Sequence, residues 1–367
     1  MDGALGRESC DCLKAAGKNR KKSPQPKKRF RWGRLLGGLL LFTGVSGGAL
    51  AGAGWWRYTM PGPLPASTVL VIPHGGYAST ITALQHGQAL EANPFDTFVF
   101  RAAIALTRKE GQIHAAELLF PAHASMRDLL NVLRHGKPVL HQLTIPEGLT
   151  ARQITALLEA APFLKGATPH LVEGEAFPET YSYTRDTDRA VIVARMKLAM
   201  KREVDAVWEK RDPSLSLKNP AELVTLASIV EKETGLPDER PHIAQVFLNR
   251  LKAGIRLQSD PTTIYAMNDG AGPLGRPLVR SDLAVQSPYN TYAVTGLPPG
   301  PICSPGMASL QAVAHPLTGD DLYFVATGNG GHNFAASLDE HNRNVAAFRK
   351  GRDSSAPSEE KAVPDPQ

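Results

Sequence analysis

The stretch NPAELVTLASIVEKETG, residues 219–235, predicts a helix that Gly235 can close. Asn219 is a favoured N-cap residue, and Pro220 fits the first helical position because no backbone N–H is needed there. The helical period places an apolar stripe on the side that faces the core, formed by Leu223, Leu226, Ala227 and Val230. Glu231 and Glu233 fall on opposite edges of this stripe, and the pattern alone does not choose between them.

A carboxylate beside an apolar stripe lies where desolvation raises a pKa, so either glutamate is a candidate acid. The alternative is a pair of ordinary glutamates on the flank of a helix. Farther along the chain, residues 257–265 and 287–300 are rich in Asn, Gln, Tyr and Thr. Such side chains hydrogen-bond sugar hydroxyls, but they also form turns, and composition does not separate the two interpretations.

Two short segments before this helix resemble each other. VIPHG at 71–75 and TIPEG at 144–148 each follow the pattern of a short strand, a Pro/Gly turn and an amphipathic helix. Two copies are too few for a solenoid, and they indicate a small module of strand–helix units. The chain is therefore expected to belong to the α+β class. Further helices are predicted at 79–90, 94–107, 125–134, 150–160, 189–209 and 246–251.

The charge of this 367-residue chain is unevenly distributed. Residues 1–34 contain 11 lysines and arginines against three acidic residues, although the formal net charge of the whole chain is only +6. The rest is slightly acidic, which argues against a large nucleic-acid-binding face. Three cysteines exclude a disulfide scaffold. The motifs around His332 and His341 lack supporting carboxylates at ligand spacing, so no metal site is predicted.

Residues 35–56 contain no charged residue and are long enough, as a helix, to cross a bilayer. A cleaved signal peptide is the alternative, but the apolar run is longer than such peptides usually carry. Cations are concentrated before the run, so the N-terminus is expected in the cytoplasm and residues 57–367 outside it. Residues 351–367 are almost without apolar side chains and are expected to be a disordered tail.

Several long motifs, in order, resemble the endolytic murein transglycosylases of the YceG-like (MltG) family. The motifs that carry this resemblance are TIPEGLTARQIT (144–155), EGEAFPETYSY (173–183), LASIVEKETG (226–235), FLNRLKAGIRLQSDPTTIYA (247–266), SPYNTYAVTGLPPGPICSPG (287–306) and YFVATGNGGHNFAASLDEHNRNV (323–345). The resemblance covers roughly residues 65–350 and implies a bacterial inner-membrane enzyme that faces the periplasm. The boundaries it implies are a basic cytoplasmic tail (1–34), a transmembrane helix (35–56), a Pro-rich linker (57–65), a LysM-like α+β subdomain (66–160), a mixed α+β catalytic domain (161–350) and the tail (351–367).

The resemblance also implies a reaction. The family cleaves the β-1,4 bond between N-acetylmuramic acid and N-acetylglucosamine in nascent glycan strands, leaves a 1,6-anhydromuramyl end, and needs no cofactor. Its catalytic glutamate closes the ASIVE motif, here Glu231, which acts as general acid and then as general base. Gln258, Asp260, Asn290 and Tyr292 match family motifs and are candidate substrate-binding residues. Peptidoglycan glycan strands, the inner membrane and peptidoglycan synthases are the implied partners, and termination of glycan elongation is the implied role.

Two other functions stay open at this point. A muramidase-type hydrolase requires a second carboxylate, for which Asp260 is the candidate unless it only caps the turn at Pro261. A non-catalytic wall-binding scaffold would keep the fold without turnover.

Overall fold

The structure, a computed structural model, describes residues 32–328 and 330–355, with side chains between residues 40 and 350 in these ranges. It divides into two compact units, residues 1–60 and residues 61–367.

The first unit contains one described helix, α1 (Trp32–Thr59), which includes the segment predicted to cross a membrane. Among the residues that the structure describes, no helix has both the length and the apolar character that a membrane crossing requires. The predicted anchor is therefore not confirmed. Residues 1–31, most of the predicted basic tail, lie outside the described part of the chain.

The described residues of the second unit form three two-stranded antiparallel ribbons and the helices around them. Its first half contains β1 (Thr68–Val71), α2 (Tyr77–His86), α3 (Pro94–Leu106), β2 (Glu117–Phe120), α4 (Met126–His135), β3 (His141–Thr144), α5 (Ala151–Ala160), β4 (Thr180–Tyr183) and α6 (Arg189–Glu209). Its second half contains α7 (Pro220–Glu233), α8 (Arg240–Lys252), α9 (Asp260–Asn268), α10 (Met307–Ala314), β5 (Tyr323–Ala326), β6 (His332–Ala335) and α11 (Leu338–Ser355). The ribbons pair β1 with β2, β3 with β4, and β5 with β6, and this mixture confirms the α+β class.

Local capping explains where several helices begin. At the start of α4 the Ser125 hydroxyl accepts from the Asp128 N–H at 3.2 Å, and the Asp128 carboxylate accepts from the Ser125 N–H at 3.0 Å. Thr150 and Gln153 form the same reciprocal pair at the start of α5. Each pair satisfies N–H groups that the first helical turn leaves without a partner. Ser125 and Thr150 are thus the N-caps of α4 and α5, at the first residues of the helices predicted at 125–134 and 150–160.

Helix α7 lies at the centre of the largest core, where it packs against α6, α8 and α10. Its residues are buried on every side from Leu223 to Val230, so the predicted apolar stripe is only part of the buried surface. The polar side chains within this stretch are hydrogen-bonded, as burial requires: the Ser228 hydroxyl donates to the Thr225 carbonyl at 2.7 Å. A helix enclosed in this way is a rigid support for the residues at its C-terminal end.

A second core joins β3 and β4 to α5 and the first half of α6. Its members run from Leu143 to Met196, so they lie on both sides of the predicted boundary at residue 160. In the segment predicted as a linker, Leu64 is 2% exposed, and its carbonyl accepts from the His123 N–H at 2.8 Å. The packed interior therefore continues across the predicted boundary at residue 160 and into the segment predicted as a linker, residues 57–65.

The sequence patterns do not predict helices α9, α10 and α11. Asp260 and Pro261, expected as a turn, form the first residues of α9, and Ser259 is its N-cap. Pro261 is compatible with this because the first turn of a helix needs no N–H from it. Helix α11 continues to Ser355, into the predicted disordered tail, and residues 356–367 lie outside the described part.

Candidate active site

Glu231, in the last turn of α7, is enclosed by hydrogen-bond donors. Its Oε2 accepts from the Gly306 N–H at 3.0 Å and from the Ser309 hydroxyl at 2.7 Å. Arg240 Nη2 lies 3.6 Å from Oε1. The Glu231 side chain is only 6% exposed, so these donors replace most of the water that a carboxylate normally binds.

The donors reach Glu231 because the segment before α10 is fastened to α7. The Ile302 N–H donates to the Ser228 hydroxyl at 3.0 Å, and the Cys303 thiol donates to the Ser228 carbonyl at 3.3 Å. Burial raises the pKa of the Cys303 thiol, which keeps it protonated and suits a packing role. The next residues therefore bring the Gly306 N–H directly to Glu231.

A second carboxylate, Glu147, approaches from the TIPEG loop that follows β3. The Gly148 N–H donates to the Ser304 carbonyl at 2.9 Å, and Lys232 Nζ donates to the Gly148 carbonyl at 3.3 Å. The carboxylate of Glu147 lies against Gly306, where a Cβ atom would come within 1.9 Å of Oε1. Only a glycine at position 306 leaves this space free.

The surroundings of Glu147 act on its pKa in opposite directions. Burial raises its pKa above the usual range, and the negative charge of Glu231 raises it further, while Arg240 acts in the opposite direction. The sequence patterns do not identify Glu147, Arg240 or Ser309 as site residues. The one signal in the sequence is the TIPEG motif, which belongs to the family resemblance and contains Glu147.

A cavity of about 320 Å³ lies beside this group. Glu147 and Lys232 contribute charged groups to its lining, and Ile264, Tyr265 and Pro273 contribute apolar surface. Such a mixture suits a saccharide unit, which has polar hydroxyls at its edge and apolar ring faces.

Glu233 belongs to a different group of side chains. It accepts from the Ser259 hydroxyl at 2.5 Å, and the adjacent Asp260 accepts from the Tyr292 hydroxyl at 2.8 Å. Burial raises the pKa of Glu233 to about 7, the charge of Asp260 adds to the rise, and the Ser259 hydroxyl and Arg250 oppose it. No described hydrogen bond joins this group to Glu231, so the two glutamates of α7 serve separate environments.

The predicted substrate-binding residues divide between this group and the interior. Gln258 has a positive φ of 54°, and its Oε1 accepts from Arg250 Nη1 at 3.4 Å. It therefore lies beside the arginine whose charge acts on Glu233 and Tyr292. Asn290 is 0% exposed. Its amide donates to two backbone carbonyls and accepts from the Thr263 hydroxyl and the Tyr292 N–H. Asn290 therefore shapes the loop from inside it.

Glu233→Gln is expected to stabilise the protein at pH 8 by up to about 3 kcal/mol. The folded-state pKa of about 7 lies above the ordinary 4.5, so folding favours the protonated carboxyl. The stability that this proton contributes is fully present below pH 4.5 and is lost as the pH rises to 7, at about 1.4 kcal/mol per unit. Glutamine resembles the protonated acid and can still accept from Ser259, so it avoids this loss.

Urea unfolding of both proteins between pH 4 and pH 8 measures the effect. Glu209→Gln, an exposed position at the end of α6, is the matched control and should track the wild type. If the unfolding free energies of the wild type and Glu233→Gln differed by the same amount at every pH from 4 to 8, the expectation would be contradicted.

The family model described as the YceG-like family matches residues 70–347. A Bacillus subtilis protein named endolytic murein transglycosylase is 40% identical over 175 residues, which cover 47% of each chain. A protein of the same name from Streptococcus pneumoniae serotype 2 is 32% identical over 272 residues, covering 60% of this chain and 48% of the relative. The chain thus spans about half the length of the curated relatives it matches. The crystal structure of a yceG-like protein from Listeria monocytogenes is 27% identical, covers 76% of this chain and 98% of its own, and has a TM-score of 0.49.

Proposed function

This chain belongs to the YceG-like family, and from that premise we propose that it is an endolytic murein transglycosylase. The proposed reaction cleaves the β-1,4 bond between N-acetylmuramic acid and N-acetylglucosamine and leaves a 1,6-anhydromuramyl end. Two relatives that bear this name support the proposal. The single structural observation that supports it most is the Glu231 carboxylate, held by the Gly306 N–H and the Ser309 hydroxyl beside Arg240.

In the proposed mechanism, Glu231 carries out both proton transfers. As an acid it protonates the glycosidic oxygen while the bond to the anomeric carbon breaks. As a base it then takes the proton of the 6-hydroxyl, whose oxygen attacks the anomeric carbon of the same sugar. Glu231 regains the proton that it gave, and no water is consumed. The donors fix the direction of the carboxylate, and Arg240 offsets its charge after the first transfer.

We assign the remaining predicted residues different roles. Gln258, Asp260 and Tyr292 are proposed to hydrogen-bond the glycan. Asn290 is proposed to support them, since its own amide is already occupied. Residues 66–160 are proposed as a LysM-like glycan-binding part and residues 161–350 as the catalytic part.

The cellular setting belongs to the same proposal. Residues 35–56 are proposed as a single N-terminal anchor, supported by the absence of charge in this run and by the cations before it. The enzyme would then face the periplasm from the inner membrane, beside peptidoglycan synthases, where it would end glycan elongation.

A muramidase-type hydrolase is the second candidate, because a second carboxylate does lie near Glu231. That carboxylate is Glu147. Asp260, the candidate from the sequence, instead accepts a hydrogen bond from Tyr292 in the group around Glu233. Glycoside hydrolases usually act through a pair of carboxylates that flank the bond they cleave.

Product analysis in heavy-oxygen water tests the proposal. The full chain is incubated with purified glycan strands, and the products are analysed by mass spectrometry. Products that are lighter than hydrolysis products by one water, without heavy oxygen, are expected. Reducing ends that carry heavy oxygen would establish the hydrolase instead. No products from folded protein, with a peptidoglycan synthase supplied, would favour a wall-binding scaffold.

A further inference from the structure

The carboxylate of Glu239, just before α8, is held by donors from β6 and from the end of α7. Its Oε1 accepts from the His332 N–H at 2.8 Å, and its Oε2 accepts from His332 Nδ1 at 2.7 Å. The Thr234 hydroxyl also donates to Oε2, at 3.3 Å. An ionised carboxylate only accepts, so Nδ1 is the nitrogen of this imidazole that carries a proton. His332 therefore ties the turn between α7 and α8 to strand β6.

This contact lies in a largely buried setting. The side chains of His332 and Glu239 are 14% and 18% exposed. The imidazole meets the Phe324 ring edge to face, with the centroids 5.3 Å apart. Burial alone would raise the pKa of Glu239, but the hydrogen bonds that it accepts outweigh this effect and lower that pKa. Gly331 leaves room for the carboxylate, because a Cβ atom there would come within 2.9 Å of Glu239 Oε1. These contacts hold an ionised Glu239 in one position.

Arg240 follows Glu239 directly and is the first residue of α8. Its side chain is buried, and Nη2 lies 3.6 Å from Glu231 Oε1, which is longer than a hydrogen bond. Among the described residues, Arg240 Nε has no hydrogen-bond partner. A guanidinium with so few bonds of its own is placed mainly by the backbone that carries it. Glu239 fixes this backbone at the preceding residue.

We propose that His332 is a positioning residue for the reaction, because it holds Glu239 and thereby keeps Arg240 beside the proposed general acid. Neither His332 nor Glu239 is in the lining of the cavity beside Glu231, so the effect on the reaction passes through Arg240. This inference rests on the proposed function, and it adds the β5–β6 ribbon to the elements on which the chemistry depends. In the proposed mechanism Arg240 offsets charge after the first proton transfer. A displaced guanidinium therefore slows turnover and leaves glycan binding largely intact.

Two amide substitutions separate this role from a purely structural one. The side-chain nitrogen of asparagine lies near the position of Nδ1 in histidine, whereas that of glutamine lies near the position of Nε2. His332→Asn can therefore still donate to Glu239, and His332→Gln cannot do so from the same place. Both variants lose the ring that packs on Phe324, so the loss of packing is common to them.

With purified glycan strands, kcat of His332→Gln is expected to be about tenfold lower, with KM within about twofold of the wild type. His332→Asn should regain most of the lost kcat. His170→Gln, at an exposed histidine in the loop before β4, is the matched control and should keep wild-type kinetics. A kcat of His332→Gln that equals or exceeds that of His332→Asn, or a change confined to KM, would overturn the proposal.

Gly331→Ala and an Arg240→Gln background provide independent tests. The methyl group of Gly331→Ala would press on Glu239 Oε1, the far end of a flexible side chain, so the carboxylate can move aside without loss of the fold. Its kcat should fall as in His332→Gln, and a wild-type kcat would count against the proposal. In a protein that already carries Arg240→Gln, His332→Gln should cause little further loss, because both changes act on one step. Losses that multiply would show that His332 acts by another route.

NMR signals of arginine Nε–H groups in the full chain read the placement without any substrate. The signal lost in Arg240→Gln identifies Arg240. Its chemical shift should change in His332→Gln and stay near the wild-type value in His332→Asn. An unchanged shift in His332→Gln would overturn the positioning role. Lack of turnover by the wild type would count against the proposed function, while the NMR comparison would still decide whether His332 places Arg240.

Discussion

Glu231→Gln is expected to lower the turnover of glycan strands by about 10²- to 10⁴-fold, the usual contribution of a general acid–base group. The amide keeps the shape of the side chain, and its oxygen can still accept from the Gly306 N–H and the Ser309 hydroxyl. It can neither protonate the glycosidic oxygen nor take the proton of the 6-hydroxyl. Product release from purified strands, followed over time by mass spectrometry, measures the loss.

The controls separate lost chemistry from lost structure. Glu209→Gln makes the same change of charge at an exposed position of α6 and should retain wild-type turnover. Glycan co-sedimentation and the thermal unfolding midpoint should be similar for all three proteins. A Glu231→Gln protein with more than about a tenth of wild-type turnover would remove Glu231 from the role of general acid.

Phe247→Ala is expected to cost about 3–5 kcal/mol of unfolding free energy, a large share of the roughly 5–15 kcal/mol available to a typical protein. Phe247, on α8, is fully buried in the core around α7. Its ring meets Phe324 of β5 edge to face, with the centroids 5.7 Å apart. The variant leaves a cavity there and removes one of the ring contacts between the helices and the β5–β6 ribbon.

Urea unfolding at fixed pH gives the measurement, and Phe98→Ala is its matched control. Phe98 lies on α3 with 70% of its surface exposed, so the same truncation should cost less than about 1 kcal/mol. Equal losses in the two variants would show that the core around α7 is not the main source of stability.

The parts of the fold that the sequence predicts are those with local causes. Helix α6 begins and ends where its periodic pattern does, and α4 and α5 begin at capping residues that act within three positions. Helix α9 escapes prediction because its start, at Asp260 and Pro261, has the composition of a turn. Only packing against the rest of the core distinguishes a helix start from a turn there.

In the candidate site, too, the sequence predicts what has a local cause and misses what depends on contacts between distant parts of the chain. Periodicity places Glu231 and Glu233 at the end of α7 but cannot rank them, since their environments come from elsewhere in the chain. Glu147 is missed because its neighbours, Gly306 and Arg240, are far from it in sequence. Asn290 has the composition of a sugar-binding residue, yet its hydrogen bonds are all internal. Residue type does not reveal whether the hydrogen-bonding groups of an amide are already used within the protein.

The donors to Glu231 also bear on the order of folding. The hydrogen bonds from Gly306 and Ser309 join residues 75 and 78 positions apart along the chain. Contacts of such separation close slowly, because the chain loses the entropy of the intervening loop before it gains the contact. A nascent or partly refolded molecule can therefore contain α7 and still lack the environment of its acid. Recovery of activity after dilution from denaturant is then a measure of complete assembly, and it should lag behind the recovery of helical signal.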